Sequence, residues 1–413
     1  MNFWLFIVFC ILIIKYSWSQ EPVIRPIDTY INLDTDFGAY KEAGEDKFYD
    51  SIPFPVLDKY HMLMSPSWYL YQARVWKREL DGQKTSDEAW FYMFRAFQLA
   101  GKTKAADSIV DLVNMKYSGS WVSKALKWYE SKPSARNYNN FEKIFLEAPP
   151  AIQVHLYSDL VNAYEATCRS KDRDSVIQNW LLSGEWPMEL IYYGYNLLQT
   201  TPNKAILFSE GPFESTALFL AQKKGLRPDV VVANLELLSY FPYRKCLSQR
   251  WEISIPEPIS DNSGVAVSQI VDANPDKIFY ITLSTAKTIF KYLKSQIFCE
   301  GLAYRIKKPS YSTFYKLLDN LENNYNLLYL NDSLSVNIFN RFRAHQFNMV
   351  YVPPILQLFD LYYYRDEPEK ADKWFKIALN IAQKAGNADL VYTHKLFWNR
   401  DGKESERFNK RGR

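Results

Sequence analysis

The chain has 413 residues, of which 47% are hydrophobic and 23% are charged, and this balance excludes a largely disordered protein. Its length favours two or three domains rather than one core. The net charge of +4 is small for this size and the basic residues cluster only at 400–413, so composition argues against nucleic-acid binding.

The N-terminus has the pattern of a secretory signal. Phe3–Ile14 is an unbroken apolar run, and small residues precede Gln20. We predict a signal peptide over 1–19 and a mature chain that is periplasmic or associated with the outer envelope. An uncleaved anchor is the alternative, although a membrane span needs about 20 apolar residues. No later stretch is apolar enough to span, so the mature chain is expected to lack a membrane span.

An extended arm and an array of helices are predicted next. Residues 20–58 are rich in Pro, Asp and Tyr and lack a helical period, which indicates an arm lying over the rest of the chain. Residues 59–200 are predicted to form a helical-hairpin domain, tetratricopeptide-like in character, because apolar residues recur three and four apart. The predicted helices are 67–76, 86–99, 104–115, 120–131, 140–146, 151–166 and 172–182.

Residues 201–310 are predicted to form a small, mostly parallel α/β domain. The sequence alternates apolar strands at 205–208, 230–233 and 277–283 with helices, and a fourth strand is expected at 302–306 after a turn at 299–301. Helices are predicted from 213, over 240–249 and over 285–296, with a loop at 255–264. Continuous apolar strands are typical of a sheet that is covered on both faces.

The C-terminal region, 311–399, is predicted to be helical and to contain a tetratricopeptide-like hairpin. Its helices are expected at 355–364 and 369–384, with Pro368 at the first helical position and Gly386 as the stop. Residues 400–413 form a basic tail. The fold class is therefore a mixture of α+β and α/β, with a helical-hairpin domain, an α/β domain and C-terminal helices.

The cysteines do not form a complete disulfide framework in the predicted mature chain. Removing 1–19 leaves Cys168, Cys246 and Cys299, which is an odd number. We expect three buried, unpaired residues, with a Cys246–Cys299 bridge as the alternative. The four histidines are scattered and no metal-binding spacing occurs, so neither a metal nor a cofactor is predicted.

The candidate ligand site is the strand-to-helix turn, because open α/β sheets bind ligands beyond the carboxyl ends of their strands. The predicted site residues are Ser209, Glu210, Gly211, Glu214, Ser215 and Asn234, joined by Glu300 and Arg305. For the turn itself we favour ordinary helix capping over a ligand site, and under this interpretation Glu214→Gln costs about 1 kcal/mol or less. Glu300 and Arg305 are expected either to form an ion pair or to line the same cleft. No catalytic residue is assigned.

Residues 201–385 resemble the soluble C-terminal region of a family of bacterial multi-spanning membrane proteins described as protein O-mannosyltransferase-like. The matching positions are Gly211, Gly225–Val230, Asn234–Leu235, Glu300–Arg305 and the helical pattern over Ala344–Ala378. The sequence departs from the family at Pro212 and Phe213, where the family carries polar residues. The membrane-spanning half is absent here, so the resemblance implies an accessory periplasmic module without transferase activity.

These features predict a non-catalytic binding or assembly module of the cell envelope that engages a protein or peptide partner, since helical hairpins offer surfaces for such partners. The alternative is a glycan-handling enzyme or sugar-binding accessory protein that uses the turn at 209–215. A glycan is thus the second ligand class to consider.

Overall fold

A computed structural model describes residues 66–82, 86–184, 186–285, 289, 291–293, 297–306, 313–331, 334 and 344–395. The predicted signal peptide (1–19), extended arm (20–58) and basic tail (400–413) lie outside these residues. The described residues divide into two compact units, 66–350 and 351–395. The domain boundaries drawn from the sequence at 200 and 310 stay predictions.

The first unit begins with seven helices, and each predicted helix of this region has a counterpart. They are α1 (Pro66–Gly82), α2 (Asp87–Leu99), α3 (Thr103–Lys116), α4 (Trp121–Glu130), α5 (Phe141–Glu147), α6 (Pro150–Ala166) and α7 (Ser170–Leu182). Serine caps start two of them: Ser86 Oγ accepts the Ala89 N–H at 3.1 Å, and Ser120 Oγ accepts the Ser123 N–H at 3.3 Å.

Helix α8 (Glu189–Thr200) is an element that the sequence pattern did not predict. Its buried side includes Leu190, Tyr193 and Leu197. On the outer side, Tyr192 and Tyr195 are exposed. Leu190, Tyr193 and Leu197 recur three and four residues apart, so the sequence of α8 does carry the spacing that identifies a surface helix.

The sheet has five strands in the order β2-β1-β3-β5-β4 and is mixed. The strands are β1 (Ile206–Ser209), β2 (Val231–Asn234), β3 (Phe279–Thr282), β4 (Ile297–Cys299) and β5 (Ala303–Ile306). Strands β1, β2 and β3 run parallel, with Ser209 opposite Asn234. All three are buried throughout, as their apolar sequences predict.

Helices connect and flank these strands. They are α9 (Gly211–Lys223) between β1 and β2, α10 (Phe241–Trp251) and α11 (Ser263–Ala273) between β2 and β3, and α12 (Thr313–Asp319) after β5. The sequence predicted α9 and α10 but not α11, whose first residues fall in the predicted loop at 255–264. The helix predicted over 285–296 lies largely outside the described residues.

The prediction of a mostly parallel sheet holds for β1–β3 and misses a hairpin. Strand β5 pairs antiparallel with both β3 and β4, and its Ala303 lies opposite Thr282. Cys299, which we expected in a turn, ends β4, and the turn follows at 300–302. A three-residue strand is too short to show the alternation that identifies a strand in sequence.

The cysteine prediction is wrong in both of its forms. Cys168, just after α6, is bonded to Cys246 on α10, with the two Cα atoms 6.3 Å apart. Cys299 is the unpaired residue, and its thiol donates to the Gly301 carbonyl at 3.4 Å. A bond between residues 78 positions apart depends on how the helices pack, which residue spacing does not reveal.

The second unit contains α13 (Val352–Tyr364), α14 (Pro368–Lys384) and a further helical segment at 388–395. Both predicted helices are confirmed. Pro368 is the first residue of α14, and Gly386 adopts a positive φ of 73° just after it. His394 Nε2 lies 2.7 Å from Asp360 Oδ1, and this buried pair joins the last segment to α13.

Candidate functional site

The predicted turn joins β1 to α9 at the carboxyl ends of the parallel strands. Glu210 is extended and precedes the helix, and Gly211 begins it with φ of 77°, a conformation that favours glycine. Pro212 follows in the first turn, where its missing N–H costs nothing. The local sequence therefore makes an abrupt change from strand to helix directly above the sheet.

Glu214 is the centre of this turn, and it is buried, with 1% of its surface exposed. Its carboxylate accepts four hydrogen bonds from within the chain. The donors are Tyr193 Oη, Ser284 Oγ at 2.8 Å, Thr282 Oγ1 at 2.7 Å and the Glu210 N–H at 2.9 Å. Burial raises the pKa of Glu214 above its ordinary value, although all four donors act to lower it.

The capping interpretation of Glu214 accounts for one of its four hydrogen bonds. The carboxylate accepts the N–H of Glu210, the residue just before α9. However, it also ties α9 to α8 through Tyr193 and to the end of β3 through Thr282. Glu214 is therefore an internal anchor between three elements and not an exposed charge at a helix end.

The two predicted serines face each other at the same place. Ser209 Oγ lies 2.8 Å from Ser215 Oγ, and Ser215 donates to the Gly211 carbonyl at 3.0 Å. Both serines are buried. The pair closes the first turn of α9 onto the end of β1, which is a structural use of the hydroxyl groups.

Asn234, at the end of β2, lies beside Ser209 in the sheet register and is fully buried. Its amide donates to Asn162 Oδ1 at 2.9 Å, and its Oδ1 accepts the Glu236 N–H at 3.0 Å. Its own N–H donates to Tyr243 Oη at 2.9 Å. The residue connects β2 to α6 and α10, and its backbone N–H and both side-chain polar atoms have partners within the chain.

Glu300 and Arg305 do form an ion pair, with 3.7 Å between Oε1 and Nη1. Lys316 Nζ lies 3.2 Å from Glu300 Oε2, and Tyr280 Oη donates to the same carboxylate. Glu300 is fully buried, whereas Arg305 and Lys316 are partly exposed. One buried anion therefore has two cations and a tyrosine hydroxyl as partners, and this anion raises the pKa of Tyr280 further than burial alone.

The two carboxylates belong to one face of the sheet. Tyr280 and Thr282 are two residues apart on β3, so their side chains project to the same side. Tyr280 contacts Glu300 and Thr282 contacts Glu214. The predicted site residues therefore fall into two neighbouring polar networks on that face, with Asn234 in a third at the end of β2.

Three partners of Glu214 were missed in the sequence, and two of them had a usable signal. Thr282 ends the third parallel strand and Ser284 follows it, and the rule that selected Ser209 and Asn234 applies equally to them. Tyr193 had no such signal because α8 itself was not predicted.

Outside the sheet, α8 carries a row of exposed apolar and aromatic side chains. Met188, Tyr192 and Tyr195 are 41%, 37% and 41% exposed. They are spaced four and three residues apart and so share one face of the helix. Residue Glu189 carries the only charge on α8, and it is buried. Tyr192 stacks on Tyr329 with 5.3 Å between ring centroids.

Neither a metal centre nor a membrane span is found in the part of the chain that the structure describes. Within it, no three His, Cys, Asp or Glu side chains come together in a way that would hold a metal ion. None of its helices combines the length and the apolar character needed to cross a bilayer. Comparison with known proteins found no matching family model, curated protein or solved structure, so the resemblance described above stays a prediction.

Proposed function

We propose that the protein is an exported, non-catalytic binding module of the cell envelope that engages a protein partner through the exposed face of α8. The observation that carries this proposal is the row of Met188, Tyr192 and Tyr195 on a face without charge. Tyrosine and methionine are enriched in protein interfaces and charged residues are depleted from their centres. A surface helix without a partner usually carries charged or polar residues at these positions.

The arrangement of the strand-end turn supports a non-catalytic role. Glycoside chemistry needs two carboxylates flanking an accessible bond. Here Glu214 and Glu300 are 1% and 0% exposed, and hydrogen bonds within the chain use both oxygens of Glu214. Glu210 donates its backbone N–H to the Glu214 carboxylate at 2.9 Å. The glycan-handling alternative therefore has less support than binding.

Export is part of the proposal, and the disulfide supports it. Disulfides persist in oxidising compartments and are rare in the cytosol. The Cys168–Cys246 bond is consistent with the signal peptide predicted over 1–19. The tetratricopeptide-like assignment of the helical hairpins belongs to the proposal as well, because stacked hairpins of that kind serve as protein-binding surfaces.

Site-specific photocrosslinking in the native cell envelope tests the proposal. A benzophenone amino acid at position 195 should yield an adduct with a protein, because Tyr195 lies in the exposed row. The same amino acid at Tyr392, which is 46% exposed in the second unit, is the matched control and should yield none. Equal adducts at both positions, or none at Tyr195, would reject protein binding through α8, and an adduct with glycan alone would favour the alternative.

A further inference from the structure

The exposed row of Met188, Tyr192 and Tyr195 is nearly symmetric about Tyr192, and this suggests which protein occupies it. Met188 lies four residues before Tyr192, and Tyr195 lies three residues after it. If two copies of α8 meet antiparallel about a twofold axis at Tyr192, Met188 of each copy faces Tyr195 of the other. We infer that the occupant of this row is a second copy of the same chain, joined through α8 in an isologous contact.

The charges on α8 permit this arrangement. The net charge of +4 is small for 413 residues, so the charges that meet directly across the contact matter more than the overall repulsion between two copies. The exposed and half-exposed positions of α8 are Met188, Ile191, Tyr192, Tyr195 and Gln199, none of which is charged. A twofold contact brings identical residues together at the axis, so a charge there would oppose itself. The row meets this requirement.

A neighbouring segment holds the row in place and widens it. Asn326 and Leu334 contact opposite ends of α8: Asn326 exchanges two hydrogen bonds with Asn196 at 2.9 and 3.0 Å, and the Leu334 N–H donates to Glu189 Oε1 at 2.9 Å. In this segment Leu328 is 77% exposed and Leu334 is 41% exposed. They add apolar surface beside the row.

The contact also suits the side chains involved. A thioether packs favourably against an aromatic ring, which is the pairing of Met188 with Tyr195 across the axis. At the axis Tyr192 meets its own copy, and each ring is already stacked on Tyr329, which limits the side-chain freedom lost on association. The inference rests on the proposed function in that both use the α8 face for binding a protein.

Sedimentation equilibrium over a range of concentrations tests the inference. The wild-type chain should be a dimer at micromolar concentration. Tyr192→Glu places two like charges at the axis and should raise the dissociation constant at least about tenfold. Tyr392→Glu makes the same change at a site of similar exposure in the second unit and should leave the dimer intact. Circular dichroism should show that both variants remain folded.

A cysteine at position 192 provides a second test that does not depend on weakening the contact. Facing helices about 8–10 Å apart, with Cα atoms about 2.3 Å from each axis, bring residues at a twofold axis within disulfide range. In a Cys299→Ser background, Tyr192→Cys should oxidise to a covalent dimer, whereas Tyr392→Cys should not.

Two results would overturn the inference. One is a wild-type chain that stays monomeric up to about 100 µM, well above the dissociation constants typical of specific dimers. The other is a dimer that Tyr192→Glu leaves unchanged. If the chain is monomeric while position 195 still crosslinks to a different protein, self-association fails and the proposed function survives. If neither a dimer nor an adduct forms, both fail.

Discussion

Gly194 on α8 lies directly against the backbone of Ala217 on α9, and a Cβ at position 194 would stand 2.5 Å from the Ala217 carbonyl carbon. Because the two helices meet at this point without a side chain between them, Tyr193 on α8 is brought within hydrogen-bonding reach of Glu214 on α9. The approach of the two helices thus sets the geometry of the internal anchor.

Gly194→Ala is therefore expected to destabilise the protein by about 1–3 kcal/mol, because the backbone of α9 must move to accept the methyl group. Alanine's helix propensity offsets at most about 1 kcal/mol of this. Gly82→Ala on α1, where no atom lies within 4 Å of the new Cβ, is the control and should be neutral or slightly stabilising. Urea denaturation measures both, and a Gly194→Ala variant as stable as wild type would contradict the close contact.

Glu214 should make stability depend on pH in a defined direction. The pKa of Glu214 is raised in the folded state, so the folded protein holds this proton more tightly than the unfolded chain does. The resulting stabilisation is complete below the ordinary pKa of 4.5 and is lost as the pH rises through the raised pKa. Glu214→Gln cannot titrate. The stability of wild type relative to this variant should be greatest at about pH 4 and decline toward neutral pH.

The overall cost of Glu214→Gln should be about 1–3 kcal/mol, because an amide N–H₂ replaces an oxygen that accepts hydrogen bonds in a buried site. Glu369→Gln provides the comparison, since Glu369 is an exposed glutamate in the first turn of α14. There the change should be below about 1 kcal/mol. Chemical denaturation from pH 4 to pH 8 gives both quantities. A difference between wild type and Glu214→Gln that grows with pH would show that the donors outweigh burial.

Glu300 and Glu147 allow the effect of burial on an ion pair to be measured, because each carboxylate has two cationic partners. Glu300 is fully buried and pairs with Arg305 and Lys316. The Glu147 side chain is 33% exposed and pairs with Lys124 and Lys143. Glu300→Gln should cost about 2–3 kcal/mol, since it also weakens the bond from the buried Tyr280 hydroxyl.

Glu147→Gln should cost about 1 kcal/mol or less, as is typical of surface ion pairs. Thermal and urea denaturation of both variants in low and high salt provide the measurement. Salt should reduce the Glu147 effect more than the Glu300 effect. Equal costs for the two substitutions would mean that the Glu300 network contributes no more than a surface pair.

The cysteines should differ clearly in their chemistry. Desolvation of its thiol raises the pKa of Cys299 to about 12, so almost no thiolate exists at pH 8 and a maleimide should label this half-buried residue slowly until the protein is unfolded. Comparing the labelling of wild type with that of Cys299→Ser shows how much of the label Cys299 takes up. Rapid labelling of Cys299 in the folded protein at pH 8 would contradict the raised pKa of its thiol.

Breaking the Cys168–Cys246 bond should lower the free energy of unfolding by about 2–4 kcal/mol, because it closes a long loop in the unfolded chain. Cys168→Ser and Cys246→Ser should lose similar amounts, and the Cys168→Ser/Cys246→Ser double variant should lose no more than either alone. Additive losses would indicate that the two cysteines are not bonded to each other.

The sequence predicted well those features that depend on neighbouring residues. Gly211, the apolar strands β1–β3 and the capped helices α2 and α4 were recognisable because local patterns determine them. The features it missed depend on long-range packing. Thr282 reaches Glu214 from 68 positions away, and Cys168 reaches Cys246 from 78. Helix α8 was missed although its buried residues Leu190, Tyr193 and Leu197 show the local spacing of a surface helix.

The hairpin of β4 and β5 has a consequence for solubility. Without it, β3 would be the border of a three-stranded parallel sheet, and its wholly buried, apolar sequence would offer unpaired backbone groups to other chains. The hairpin instead places β4 at that border. With only three partly exposed residues, β4 is a poor template for adding further strands. The same turn that holds Glu300 thereby protects the folded protein against fibril-like aggregation.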